Sequence, residues 1–199
     1  MFTITRKLSQ SIWLLSLAIT PAFSIAQNKD LASEFILYAA QGDISAVQRA
    51  LVGGVSVNSL DSLHHATALH SAAALGNTKL IELLLNAGAD LNAVDRSGVT
   101  PLIAACAAGQ VVSAKALIKA GAEVNIKPSL APTALIVAIQ TGNPQLVEAL
   151  FLASANVHQS DIFGTSPLQA ALLTKRENII KLVEQAVVRD QNSSNRAKE

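Results

Sequence analysis

The chain reads Thr67-Ala-Leu-His-Ser-Ala-Ala-Ala-Leu-Gly76 and then Ile81-Glu-Leu-Leu-Leu-Asn-Ala-Gly-Ala-Asp-Leu-Asn92, and these two runs decide its fold. Thr67 opens a helix, because a hydroxyl at that position satisfies a free amide of the first turn. Leu69, Ala72 and Ala73 then form one apolar stripe, and the small alanines let a neighbouring helix approach closely. Gly76 ends the stripe, since glycine takes left-handed backbone at little cost. Leu80, Ile81, Leu84 and Leu85 follow at i, i+3 and i+4 spacing, which gives a second helix one apolar face.

Outward from this stretch, the same landmarks recur every 33 residues. Thr67-Ala68-Leu69-His70, Thr100-Pro101-Leu102-Ile103, Thr133-Ala134-Leu135-Ile136 and Ser166-Pro167-Leu168-Gln169 are in phase, as are Gly76, Gly109 and Gly142, and Asn92, Asn125 and His158. Pro101 and Pro167 occupy the first helical position, where a missing N–H costs nothing. Second helices are predicted around Val111–Ile118, Leu146–Phe151 and Ile179–Val183. Gly88 and Gly121 end the outer helices of their units, while Ser154 replaces glycine in the next and marks a local weakness. Turn-like fingers such as Val94-Asp95-Arg96-Ser97-Gly98 join the units, with Asp61, Asp95 and Asp161 as turn residues. This pattern resembles the ankyrin repeat, whose period is 33 and whose signature is T-P-L-H-x-A. The resemblance covers about Leu31 to Ala186 and implies an all-α solenoid of helix-turn-helix units joined by β-turn fingers.

Five repeats are expected, over 31–63, 64–96, 97–129, 130–162 and 163–188, within a domain spanning 27–188. The first is degenerate. Ala39-Ala40-Gln41-Gly42-Asp43 matches the middle of a unit, and Asn58 lies 34 residues before Asn92, which places one inserted residue near Ser62 to His65. In the last unit Lys175 stands where the period calls for glycine. Divergent end units suit caps that face water. The polar stretch 189–199 is predicted to be a disordered tail.

Met1 to Ala26 reads as a secretory signal peptide: Arg6 and Lys7, an apolar stretch from Leu8 to Ile19, Pro21, and small residues at Ser24-Ile25-Ala26. The apolar stretch falls short of the ~20 residues a spanning helix needs. Cleavage would start the mature chain at Gln27, and the short leader resembles a bacterial one, so the expected location is the periplasm, with secretion as the alternative. With Arg6 and Lys7 removed, thirteen Lys and Arg face fourteen Asp and Glu, a net charge of −1. A chain so balanced lacks the basic footprint of a nucleic-acid binder.

No nucleophile elbow, phosphate loop or paired-carboxylate motif is present, so no enzymatic activity and no cofactor are expected. Cys106 is the one cysteine, a small buried hydrophobe among alanines. His64, His65 and His70 cluster without a cysteine or carboxylate at ligand spacing, so no metal is expected; His70 falls on the histidine of the signature, which implies a structural bond to the adjacent loop.

The resemblance further implies that a partner protein docks on the finger tips and the open side of the inner helices. By position the candidate residues are Leu63, His64, Leu75, Arg96, Ser97, Val99, Leu130, Gln140, Ile162, Phe163 and Leu173. Several are apolar, and Phe163 is the strongest anchor, since aromatic residues are enriched among binding hot spots. The expected product is a monomeric protein-binding module of the bacterial cell envelope. The alternatives are an immunity or inhibitor protein for a toxin, or a secreted effector acting on a host protein; an enzyme or small-ligand binder is the least favoured, because repeat solenoids offer grooves more readily than deep pockets.

Overall fold

The computed structural model describes residues 21–196, with side chains over 31–193. Among the described residues ten helices follow one another: α1 (Pro21–Gln41), α2 (Ile44–Val52), α3 (Ala68–Leu75), α4 (Thr78–Asn86), α5 (Pro101–Ala107), α6 (Val111–Lys119), α7 (Ala134–Thr141), α8 (Pro144–Leu152), α9 (Pro167–Thr174) and α10 (Glu177–Arg196). No strand occurs among the described residues. Each odd-numbered helix pairs with the next to form a hairpin. The odd helices pack side by side as an inner row, and α4, α6, α8 and α10 form an outer row behind them.

Local chemistry repeats along with the geometry. The amide N–H of Ile103 donates to Thr100 Oγ1 (3.3 Å), that of Ile136 to Thr133 Oγ1 (3.4 Å) and that of Gln169 to Ser166 Oγ (3.2 Å). Pro101 and Pro167 start α5 and α9. Each inner helix turns into its outer partner through one left-handed residue: Gly76 at φ 78°, Gly142 at φ 68°, and in the last unit Lys175 at φ 56°. Ser154 likewise takes φ 60° at the end of α8. A side chain in that region costs roughly 1–2 kcal/mol, so both non-glycine turns are held by their surroundings.

The core runs continuously through the stack. It begins at Phe35, Ile36 and Ala39 of α1 and passes through Leu69, Leu102 and Leu135 of the inner row. Leu80, Leu84, Leu117, Leu146, Leu150, Ile179 and Val183 fill the space between the rows. Alanines at 72, 73, 105, 138 and 171 bring the inner helices together.

The expected leader lies outside the described residues up to position 20, and α1 begins at Pro21. One expectation is corrected. The stretch 189–199 was expected to be disordered, but α10 continues through it as far as Arg196. Leu182, Ala186 and Val187 keep apolar side chains on one side of α10, and the helix packs against α8. His158, in the loop after α8, meets Asp190 of the extension at 3.3 Å (Nε2 to Oδ2). That histidine stands where the earlier units carry an asparagine that bonds the following loop, as Asn125 Oδ1 accepts the amide of Asn156 at 2.8 Å.

Candidate functional site

The fingers project from the inner-row side, and aspartates shape three of them. The Asp95 amide donates to Val99 O (3.0 Å), and its Oδ1 accepts the amides of Ser97 (2.8 Å) and Val99 (2.9 Å). Asp161 repeats this with Phe163 and Thr165, both at 2.9 Å. Asp61 closes a loop one residue longer, taking Leu63, His64 and Ala66 amides at 2.8, 2.6 and 3.0 Å. The insertion thus sits between Ser62 and His65, with His65 at φ 59°. Burial pushes the Asp61 carboxyl upward, but the three N–H donors outweigh it and hold it below its usual 3.8. The finger over 127–132 has Pro128 where the others have aspartate.

Adjacent fingers are joined through their backbones. The Arg96 amide donates to His64 O (2.8 Å), and the Leu130 amide donates to Ser97 O (3.0 Å). Arg96 Nη2 also donates to Ser62 O (3.2 Å) and lies 3.0 Å from His65 Nε2. The first three fingers are therefore tied in sequence before any partner arrives.

His70 fastens α3 to the following finger. Its Nδ1 accepts the Thr67 amide (3.1 Å), so its Nε2–H donates to Val99 O (2.9 Å). This is the neutral tautomer, and burial pushes the imidazole below its ordinary value of 6.5. The unfolded chain takes up a proton as pH falls through 6.5 while the folded chain does not, so His70 contributes stability above that pH and loses it below. Stability measured by urea unfolding should therefore fall between pH 6.5 and 5.5, and the His70→Gln variant should lose most of that slope. At neutral pH the same variant should be less stable by about 1–3 kcal/mol, because buried polar groups lose their partners.

The candidate side chains fall into two groups. Leu63, Leu130, Phe163 and Leu173 stand free at 71%, 67%, 72% and 77% exposure. Leu75, Ile162, His64 and Gln140 are also open to solvent. Val99 is half-buried and packs on the core, and Ser97 is half-buried, with its N–H and C=O both spent within the fingers. Arg96 is exposed but already braces the preceding finger.

Phe163 and Leu173 come together with Thr165, Gln169 and Leu172 around a shallow depression on the last unit. Leu172 was not foreseen as a surface residue. Its equivalents one, two and three periods earlier are Ile139, Cys106 and Ala73, all fully buried by a following unit. Leu172 has no following unit and is half exposed. A larger cleft, about 1190 Å³, opens between α8 and the extended α10, with Phe151, Leu152, Leu182 and Ala186 on its walls. It exists because α10 is longer than the 33-residue period allows.

Other chemistry is sparse here. Cys106 is fully buried, and burial pushes its thiol up to about 12, so it stays protonated and is no nucleophile. Among the described residues no group of three His, Cys, Asp or Glu side chains is placed to hold a metal ion. No described helix is long and apolar enough to cross a membrane.

Comparison with known proteins agrees with the hairpins. Residues 35–128, just under half of the chain, match the family model for ankyrin repeats (3 copies). The chain is similar to the ankyrin repeat protein YahD of Escherichia coli strain K12, 33% identical over 75 residues, which is 38% of this chain and 37% of that protein. It is also similar to the potassium channel KOR1 of Oryza sativa subsp. japonica, 48% identical over 63 residues, 32% of this chain and 7% of the channel. The palmitoyltransferase ZDHHC17 of Danio rerio is 50% identical over 52 residues, 26% of this chain and 8% of that enzyme. The chain thus spans well under half the length of each of these relatives.

Proposed function

We propose that this chain is a protein-binding repeat module. It docks onto a partner protein through its finger tips and the open side of its inner helices, and it has no catalytic role of its own. We further infer that it is exported through a cleavable leader and works in the bacterial cell envelope. The observation that carries the binding reading is the row of exposed apolar side chains, Leu63, Leu130, Phe163 and Leu173, on backbone that caps, turns and finger-to-finger bonds hold in place. Exposed apolar side chains on a fixed scaffold suit an interface, because little ordering entropy is lost on binding. The match to ankyrin repeats supports the same reading.

Export is compatible with this scaffold. The first buried side chains among the described residues are Phe35, Ile36 and Ala39, all beyond Ala26, so loss of 1–26 takes nothing from the described core. Cell fractionation, with mass spectrometry of the mature amino terminus, tests this. The expected result is a periplasmic chain beginning at Gln27, and an intact leader in the cytoplasm would refute it.

The binding surface is tested by crosslinking in the native host and measuring affinity for the protein recovered. The double variant Leu130→Ser/Phe163→Ser should keep its unfolding midpoint, since both side chains are largely exposed. Its affinity should fall by roughly 10- to 100-fold, the usual effect of removing central apolar anchors. Unchanged affinity would show that the partner meets another face.

A further inference from the structure

The charged side chains are sorted by face. At the finger tips and along the open edge of the inner row, the exposed ionisable groups are His64, His65, Arg96, Lys127 and Lys175. The aspartates of these fingers point inward. Asp61, Asp95 and Asp161 are buried or half-buried, and they spend their carboxylates on the amides of their own turns. The exposed acids Glu82, Asp90, Glu123, Glu148, Glu177, Glu184 and Asp190 lie on the outer helices or the loops behind them. At the amino-terminal end, Glu34 accepts the Tyr38 hydroxyl and Asp43 caps α2. Among the described residues, a partner meeting the fingers therefore finds Arg96, Lys127 and Lys175 outside any ion pair, and no carboxylate that is not already spent on its own turn.

These cations are interleaved with the apolar tips. Finger by finger, the exposed apolar and ionisable side chains include Leu63, His64 and His65, then Arg96, then Lys127 and Leu130, then Ile162 and Phe163. Among the described residues, Arg96, Lys127 and Lys175 take part in no ion pair. An exposed cation outside any ion pair, beside an apolar anchor, contributes to specificity and encounter rate when a carboxylate meets it.

We propose that the occupant of this face is an acidic, apolar chain segment of a partner protein, in which leucine or aromatic side chains alternate with Asp or Glu. The inference rests on the docking reading above and adds the partner's chemistry to it. Apolar side chains of the segment seat against Leu63, Leu130 and Phe163, and its carboxylates meet Arg96 and Lys127. A basic segment gains the same apolar contacts but sets like charges against those two residues.

The test pans a displayed library of random 16-residue peptides on the purified chain and then measures a selected peptide by fluorescence anisotropy. The expected pool is net acidic and rich in Leu, Phe or Trp. The selected peptide should bind about tenfold more weakly in 0.5 M than in 0.05 M salt, and about tenfold more weakly to Lys127→Glu, which alters an exposed side chain. Its copy with every Asp and Glu replaced by Lys should not bind. A basic or uncharged pool, an empty selection, or indifference to Lys127→Glu overturns the proposal. Peptides of any charge that bind Leu130→Ser/Phe163→Ser as tightly as the unaltered chain would instead refute the docking surface itself.

Discussion

Replacing Leu102 by alanine is expected to lower the stability of the chain by about 2–5 kcal/mol, the range for emptying a core leucine site. Urea unfolding followed by circular dichroism measures it. Leu102 is 1% exposed and lies on α5, which is packed between α3 and α7. Its neighbours in the inner row are largely alanines, whose helices already touch and have little room to move inward. The cavity therefore stays open, which places the loss toward the upper part of the range. Position in the stack matters as well. Each unit of a solenoid contacts only its neighbours, so damage in the middle weakens two interfaces and divides the stack. A broadened or two-step transition should accompany the shift in midpoint. Leu152→Ala is the control, since that side chain is 89% exposed and should change stability by no more than about 0.5 kcal/mol. A loss below about 1 kcal/mol at Leu102 would mean that the inner row is not packed as described.

What was legible in the sequence is what local chemistry dictates. Thr100, Thr133 and Ser166 cap because a hydroxyl at that position reaches a free amide, whatever surrounds it. Gly76 and Gly142 turn because a left-handed residue must stand there, and the same requirement draws Lys175 into φ 56° when glycine is missing. The structural bond of His70 to the adjacent loop followed from its place in the signature, and the contact with Val99 O is that bond in atomic terms. What stayed hidden depends on contacts between units. Arg96 and Val99 sit on fingers as expected, yet one braces the finger before it and the other covers the core, and spacing alone does not tell a side chain which way to lean. Leu172 stands at a period position that is buried in the earlier units, and its exposure is invisible to the period because burial there needs a following unit. The polar composition of 189–199 suggested disorder, but a helix already anchored by Ile179 and Val183 needs few further contacts to continue, and Leu182 and Ala186 supply them against α8. Nucleating a helix is costly and extending one is not.

Gly98→Ala is expected to damage both the stability of the fingers and the surface they build. Gly98 has φ +78°, and a Cβ there would lie 2.6 Å from the Ser129 amide nitrogen and 3.0 Å from Pro128 Cα. Both are backbone atoms of the next finger, so no flexible side chain can swing aside. The left-handed backbone alone costs a non-glycine residue roughly 1–2 kcal/mol. Separating the fingers also strains the bond from the Leu130 amide to Ser97 O, a net contribution of about 1 kcal/mol. Gly88→Ala isolates the second part. Gly88 has φ +85°, but nothing lies within 4 Å of its added Cβ, so that variant bears the backbone cost only. The Gly98 variant should therefore unfold at lower urea than the Gly88 variant, by a difference of about 1–2 kcal/mol. Binding should separate the two further. Moving finger 127–132 away from Gly98 displaces Leu130 and Lys127 relative to Arg96, whereas Gly88 lies at the end of an outer helix, away from those side chains. Loss of partner affinity in Gly98→Ala with near-normal affinity in Gly88→Ala would show that the row of tips is built before the partner arrives. Equal stability and equal affinity in the two variants would show that the fingers move independently, and that binding itself assembles the surface.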